Sequence, residues 1–154
     1  MPAQGALSTT REGADALRGA GTLLLLVRAL EQDLRAAGGS DPLNLTELGV
    51  LGQIDRGANL PSLVARALQL DPARVTHISD RLVTQGYIVR TVDPSDRRRW
   101  RLDLTERGRE RLEEGRNAVQ LAMETLLAQL AAPDRHALQQ GLGAVRELLD
   151  ARRP

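Results

Sequence analysis

The stretch that most constrains the fold runs from residue 71 to residue 110. Asp71 followed by Pro72 predicts a helix start, because the aspartate can accept a hydrogen bond at the N-cap and proline suits the first helical position. Apolar residues then recur at helical spacing and form one stripe: Val75, Ile78, Leu82 and Val83. Gly86 predicts the end of this helix, since glycine readily adopts the left-handed conformation of a helix cap.

Two short strands are predicted directly after this helix. Residues 87–92 (YIVRTV) are rich in aromatic and β-branched side chains, which favour a strand. Trp100, Leu102 and Leu104 then alternate with polar residues, as in a half-buried strand. The intervening residues 93–99 (DPSDRRR) favour a turn, so the pattern predicts a hairpin with an arginine-rich tip. Thr105 is the predicted cap of a further helix.

A helix, a hairpin with a basic loop and another helix follow one another in the order found in a winged helix-turn-helix. The stretch resembles the MarR (multiple-antibiotic-resistance regulator) family. Four motifs carry this resemblance: DRL at 80–82, GYI at 86–88, DPSDRR at 93–98 and LTERG at 104–108. It is closest over residues 45–112, and the flanking segments are similar only in the layout of their helices.

The segments before residue 71 add three predicted helices. Residues 14–37 form an apolar helix, preceded by a loose polar tail over residues 1–13. Asn44 and Glu47 have the spacing of a capping box, which predicts the start of a short second helix. Pro61 predicts the start of a third, and the short connection at residues 69–70 makes it the first half of a helix-turn-helix whose recognition helix begins at Asp71.

Two helices are predicted after the hairpin, one from Thr105 to about residue 130 and one after a break at residues 131–133, capped by Asp134. Together with residues 14–37, they carry more apolar surface than a small winged-helix core uses, which implies a homodimer. We predict one mainly α domain with a small β-hairpin wing, spanning residues 1–154. Its winged helix-turn-helix lobe is at residues 44–111, and its dimerisation helices are at residues 14–37 and 112–152.

Composition excludes several classes of protein. The chain has no cysteine, which excludes disulfides, thiolate metal sites and thiol-based redox sensing. Trp100 and Tyr87 are the only aromatic residues, so the core must consist of aliphatic side chains. The longest apolar run near the N-terminus, residues 23–27, is too short to span a membrane and has no basic segment before it. We therefore expect a cytoplasmic protein without membrane contact.

Four polar residues of the recognition helix point away from its apolar stripe and are candidate DNA contacts: Arg74, Thr76, His77 and Arg81. Arginine can donate to guanine O6 and N7, and threonine can contact a phosphate or a thymine methyl group. The alternative is an ordinary solvated helix face. His77 has no second ligand at metal-binding spacing, so no metal site is expected.

The hairpin tip gives three further candidate DNA contacts, Arg97, Arg98 and Arg99. Residues 86–102 contain five arginines and two aspartates, a local net charge of +3 against +1 for the whole chain. Arginines on a protruding hairpin can reach a minor groove or phosphates. Alternatively, they pair with Asp93 and Asp96 in a solvated loop. Both can hold if Asp96 pairs with Arg98 and keeps the loop in shape, which leaves Arg97 or Arg99 for DNA. The resemblance places the family's characteristic wing arginine at Arg98.

These observations predict a DNA-binding transcriptional regulator that acts as a homodimer on a pseudo-palindromic operator. The resemblance also implies a small-molecule ligand, bound between the dimerisation helices and the DNA-binding lobe. No cofactor is expected. Catalysis has no support, because the chain lacks a cysteine nucleophile, a glycine-rich phosphate loop and a nucleophile-elbow serine. The alternative function is a winged-helix protein-interaction module without DNA readout.

Overall fold

The computed structural model describes residues 4–38, 41–94 and 96–151, with side chains from residue 14 onward. Six helices and a two-stranded antiparallel sheet make up these residues. In chain order they are α1 (Gln4–Ala37), α2 (Leu45–Asp55), α3 (Pro61–Leu68), α4 (Pro72–Thr84), β1 (Ile88–Val92), β2 (Trp100–Leu104), α5 (Glu106–Ala128) and α6 (Ala132–Ala151). The predicted mainly helical fold with a hairpin wing is confirmed.

The first helix is longer than the sequence predicted. Helix α1 begins at Gln4, so the expected loose tail is wrong for residues 4–13. This segment contains no proline and several good helix formers, and extending an existing helix adds one hydrogen bond for each residue fixed. Residues 1–3 of the expected tail lie outside the described chain.

Side-chain caps fix the starts of three helices where the sequence predicted them. The backbone N–H of Glu47 donates to Asn44 Oδ1, and the backbone N–H of Asn44 donates to Glu47 Oε2, both at 2.9 Å. Asp71 Oδ1 accepts from the backbone N–H of Ala73 at 2.7 Å. Thr105 Oγ1 accepts from the backbone N–H of Gly108 at 2.9 Å. These caps satisfy backbone donors that have no partner within the helix.

The start of the last helix differs from the prediction. Helix α6 begins at Ala132, and the backbone N–H of Arg135 donates to the carbonyl of Ala131 at 3.0 Å. Asp134 therefore lies in the first turn and is not the cap. Proline and acidic residues are both favourable in a first turn, so the first turn of the helix accommodates Pro133 and the helix starts before it.

The core lies where α2, α3, α4, the hairpin and the start of α5 meet. Its buried side chains are Leu43, Val50, Leu51, Ile54, Val64, Ala65, Val75, Ile78, Leu82, Tyr87, Ile88, Leu102, Leu104 and Leu112. Helix α1 joins it through the fully buried Leu34. A close approach at Gly115 of α5 makes this possible, because a Cβ there would lie 2.5 Å from Leu48 Cδ1 and 3.5 Å from Leu34 Cδ1.

Large apolar side chains remain exposed along the three long helices: Leu17, Leu23, Leu24, Leu25, Val27, Leu121, Leu126, Leu142, Val145, Leu148 and Leu149. In α6, no side chain is buried. A groove of about 450 Å³ between α1 and α5 is lined mainly by leucine and alanine. The chain thus leaves these helices uncovered. No helix in the described part of the chain is long and apolar enough to cross a membrane.

Candidate nucleic-acid interface

Helix α4 buries one face in the core and exposes the other. Val75, Ile78, Ser79 and Leu82 are buried. Arg74, Thr76 and His77 are exposed, and within the described residues neither Arg74 nor His77 makes an ion pair. The Thr76 hydroxyl donates to the carbonyl of Pro72 at 3.0 Å, which leaves its methyl group and its acceptor lone pairs available. The N-terminal half of α4 therefore presents unengaged polar groups.

Arg81, the fourth candidate on α4, has an internal partner that the sequence did not reveal. Its Nη1 lies 2.7 Å from Oε1 of Glu47, whose side chain is almost completely buried. The Arg81 side chain remains half-exposed. Glu47 therefore caps α2 with one oxygen and holds α4 with the other. Arg81 positions the recognition helix and keeps only part of its guanidinium for an outside ligand.

A second ion pair joins α4 to the wing. Arg90 Nη2 of β1 lies 2.6 Å from Asp80 Oδ1. The sequence marked Asp80 as part of a motif but gave no indication of its partner. On the other face of the hairpin, the Thr91 hydroxyl donates to Asp103 Oδ2 across the strands at 2.7 Å. The wing is thus fixed relative to the recognition helix.

The tip of the wing is shaped by Asp96. Its Oδ1 accepts from the backbone N–H of Arg98 at 3.0 Å, and its Oδ2 lies 3.3 Å from Nε of Arg99. Asp96 therefore holds the loop in shape, but its ion pair is with Arg99 and not with Arg98, because the turn directs the Arg99 side chain to the carboxylate. Arg97 and Arg98 are exposed and make no ion pair within the described residues, which do not include Ser95. Asp93 is buried and has interactions of its own.

Behind this surface, Asp41 links three elements. Its Oδ1 accepts from Gln85 Nε2 at 2.6 Å, and its Oδ2 accepts from the Tyr87 hydroxyl at 2.8 Å. Arg111 of α5 donates to the Asp41 carbonyl at 3.2 Å, and Arg107 lies over the Tyr87 ring, 5.1 Å from its centroid. Burial raises the pKa of Tyr87, and the hydrogen bond to Asp41 raises it further. The sequence did not single out Asp41, which follows a glycine-rich break.

Two cavities could accommodate a ligand. A polar cavity of about 350 Å³ lies between α1, the start of α2 and α4, and Glu31, Arg35 and Arg74 are among its lining residues. The apolar groove between α1 and α5 is the other candidate. Within the described residues, no three His, Cys, Asp or Glu side chains are grouped so that they could hold a metal ion.

The chain has a helix-turn-helix followed by a β-hairpin wing, and both carry cationic side chains without an ion pair among the described residues. This arrangement is typical of the winged helix-turn-helix class of DNA-binding proteins. A model of the MarR family matches residues 41–99, which contain α2, α3, α4, β1 and the wing loop. Over these residues the chain is similar to the MarR family of winged helix-turn-helix transcriptional regulators.

Similar proteins extend this likeness to most of the chain. A helix-turn-helix-type transcriptional regulator of Mycobacterium tuberculosis is 28% identical over 132 residues, which cover 85% of this chain and 92% of that protein. The crystal structure of wild-type MarR from E. coli, in its apo form, is 26% identical. It superposes with a TM-score of 0.66 over 81% of this chain and 95% of that one.

A further similar structure is that of CouR from Rhodococcus jostii, which was crystallised with p-coumaroyl-CoA. It is 24% identical, with a TM-score of 0.64, and the match covers 82% of this chain and 87% of CouR. At this identity the likeness concerns the fold alone.

Proposed function

We propose that this protein binds double-stranded DNA sequence-specifically, as a homodimer on a pseudo-palindromic operator. The observation that carries the proposal is the set of exposed, unpaired arginines on two adjacent elements, Arg74 on α4 and Arg97 and Arg98 on the wing. The Asp80–Arg90 ion pair fixes these elements relative to each other. A rigid pair of basic elements suits a duplex, whose phosphates and grooves have a fixed spacing.

In this proposal, α4 enters the major groove and its first turns contact the bases. Arg74, Thr76 and His77 are the reading residues, since the N-terminal residues of a recognition helix commonly contact base edges. Arg81 lies farther along the helix and is tied to Glu47. It sets the orientation of the helix, and its outer N–H groups remain for a phosphate.

The wing supplies contacts of a different kind. Arg97 and Arg98 would enter the adjacent minor groove or contact phosphates, where arginine is electrostatically favoured. Arg99 is paired with Asp96 and would keep the loop in shape while it adds positive charge. The minor groove distinguishes few base pairs, so these contacts add affinity more than specificity.

The dimer would be formed by the long helices at the two chain ends, with the winged helix-turn-helix of residues 44–111 as the DNA-binding lobe. The exposed leucines and valines of α1, α5 and α6 support this arrangement, because monomeric proteins rarely expose a large continuous apolar patch. The apolar groove between α1 and α5 could receive α6 of the partner. A two-fold axis would place two recognition helices in successive major grooves, about 34–36 Å apart.

Release from DNA by a small molecule completes the proposal. The polar cavity between α1 and α4 supports it, since a ligand there would contact Arg74 and change the position of α4 against α1. Arg35 and Arg74 in its lining favour an anionic ligand. This chain has few aromatic side chains to line a site for an aromatic ring.

The DNA-binding surface is tested by titrating variants against the operator and a scrambled duplex. Arg74→Ala should lower operator affinity by about 1–3 kcal/mol and have little effect on scrambled DNA, because it removes base contacts. Arg98→Ala should weaken binding to both duplexes equally. The matched control is Arg135→Ala, which removes one charge at the distant start of α6. If neither Arg74→Ala nor Arg98→Ala changes binding, the surface is wrong and the interaction module gains support.

The dimer is tested on α6 with two charge insertions. Val145→Glu places a carboxylate in the exposed apolar stripe and should produce monomers or aggregates in sedimentation experiments. Gln140→Glu adds the same charge on the opposite side of the helix and should leave the dimer intact. A wild-type protein that sediments as a folded monomer would contradict the proposal.

A further inference from the structure

The end of the wing strands nearest the tip carries an exposed apolar pair. Trp100, the only tryptophan in the chain, begins β2 and is 56% exposed. Val92, which is paired with it across the hairpin, is 47% exposed. The alternation of β2 places Trp100 on the same face as Leu102 and Leu104, both buried. The sequence predicted a half-buried strand here, and the structure places Trp100 at its edge, beyond the last buried residue.

The position of this pair relative to the recognition helix follows from the hairpin register. Arg90 and Val92 lie on the same face of β1, since side chains alternate along a strand. Arg90 reaches Asp80 of α4. The Trp100–Val92 pair therefore lies on the wing face that is turned toward α4, one step nearer the tip. The backbone N–H of Leu102 donates to the Asn59 carbonyl at 2.7 Å, which anchors β2 and fixes this position.

Charge identifies what covers the pair. Arg97 and Arg98 follow Val92 and precede Trp100 in the tip, and both are exposed and unpaired within the described residues. Arg74 is exposed on α4. An exposed apolar pair beside the unpaired arginines of the wing tip matches the rim of a DNA groove, where apolar deoxyribose edges lie between lines of phosphates. Proteins commonly place apolar side chains beside arginines when they contact a minor groove.

We propose that Trp100, supported by Val92, is an apolar DNA contact of the wing, in which the indole packs against deoxyribose at the groove edge. The proposal rests on the proposed DNA-binding function and adds a residue of this chain to it. Deoxyribose is present at every nucleotide, so the contact increases affinity for any duplex. The contact displaces no counterions, so it should not add to the salt dependence of binding, whereas the neighbouring arginines should.

Intrinsic fluorescence gives a direct readout, since Trp100 is the only indole. The wild-type protein is titrated with a random-sequence duplex of about 30 base pairs, long enough for two half-sites one helical turn apart. The emission of Trp100 should shift or be quenched in proportion to the bound fraction, which fluorescence anisotropy of a labelled duplex measures independently. Unchanged emission at saturation would overturn the proposal.

Salt dependence separates the indole from the arginines. Trp100→Ala should lower affinity about tenfold at every salt concentration, the scale of an aromatic contact with a nucleotide. The slope of log affinity against log salt should stay unchanged, whereas Arg98→Ala should reduce it by about one. Trp100→Phe should recover most of the affinity. Thermal denaturation and sedimentation of Trp100→Ala should match the wild type, since the side chain is largely outside the core.

Val89 provides the matched control on the same hairpin. It is 44% exposed but lies on the opposite face of β1, opposite Asp103. Val89→Ala should leave affinity unchanged. An equal loss of DNA affinity for Val89→Ala and Trp100→Ala would show a general effect on the wing and would overturn the proposed contact between Trp100 and DNA. If the wild type binds no duplex, the proposed function fails, whereas normal DNA binding with a silent Trp100 refutes only this inference.

Discussion

Asp41 connects the end of α4 and the start of the hairpin to α5. Replacing it with alanine measures what this connection contributes to stability. The change removes the acceptor of the buried Tyr87 hydroxyl and of the Gln85 amide. A buried donor left without a partner costs about 1–3 kcal/mol. Gln85 is only partly buried, so water can replace its lost bond and its contribution is at the low end, about 1 kcal/mol. Asp41→Ala should therefore lower the free energy of unfolding by about 3 kcal/mol.

Two further variants separate the hydrogen bond from other effects of the change. Asp41→Asn keeps an oxygen that can accept from the Tyr87 hydroxyl, and it should cost about 1 kcal/mol because it loses only the charge assistance. Tyr87→Phe removes the hydroxyl itself, so no buried donor is left without an acceptor. In a double-mutant cycle, Asp41→Ala and Tyr87→Phe should then be coupled by about 1–2 kcal/mol.

Urea denaturation at one fixed protein concentration measures these free energies, and the concentration is held constant because the proposed dimer would gain stability by mass action. The bond from Arg111 goes to the Asp41 backbone carbonyl, so it survives each substitution and does not enter the comparison. Additivity of the two changes to within about 0.5 kcal/mol would refute the contact between Asp41 and Tyr87. A cost for Asp41→Asn equal to that for Asp41→Ala would refute the role of the retained oxygen.

Three other outcomes follow from the structure. The raised pKa of Tyr87 means that the folded state holds the hydroxyl proton more tightly than the unfolded state does. The free energy of unfolding should therefore fall as pH rises above about 10. Urea denaturation should show no such fall for Tyr87→Phe. Gly108→Ala would place a Cβ 1.9 Å from the Tyr87 carbonyl oxygen and should cost about 3 kcal/mol or more. A Cβ at Gly143 meets nothing within 4 Å among the described residues, so Gly143→Ala should raise the melting temperature. Glu47→Gln should lower the free energy of unfolding in urea by only about 1 kcal/mol, since solvent weakens the ion pair with the half-exposed Arg81. Glu47→Ala should lower it further, because it also removes the side chain that caps α2.

The parts of the fold that sequence reasoning predicted correctly depend on contacts between residues close in the chain. The capping box of Asn44 and Glu47 and the cap at Thr105 each join residues three apart, so their spacing is visible without the fold. The alternation of Trp100, Leu102 and Leu104 gave the correct strand and the correct face. It did not show where the core ends along that face, because this depends on which helix lies opposite each residue.

The polar partners across the fold could not be predicted in the same way. Asp41 lies 46 residues from Tyr87, and Glu47 is also far in sequence from Arg81, so no local period relates them. On a helix face, a charged residue with a distant partner has the same spacing as a solvated one. Even locally, the partner of Asp96 depended on the turn, which brings Arg99 and not Arg98 to the carboxylate.

The long-range contacts of α4 divide the recognition helix into two parts. Within the described residues, its distant polar contacts come from its second half and the residue after it: Asp80 with Arg90, Arg81 with Glu47, and Gln85 with Asp41. These partners belong to the wing, to α2 and to the connection after α1, so they fix α4 from three directions. The first half holds its place through buried apolar side chains and leaves Arg74 and His77 unpaired. In the proposed function, base readout by the first turns needs no existing contact to break. Replacing Asp80, Arg81 or Gln85 should instead shift the orientation of α4 and weaken binding to every DNA sequence.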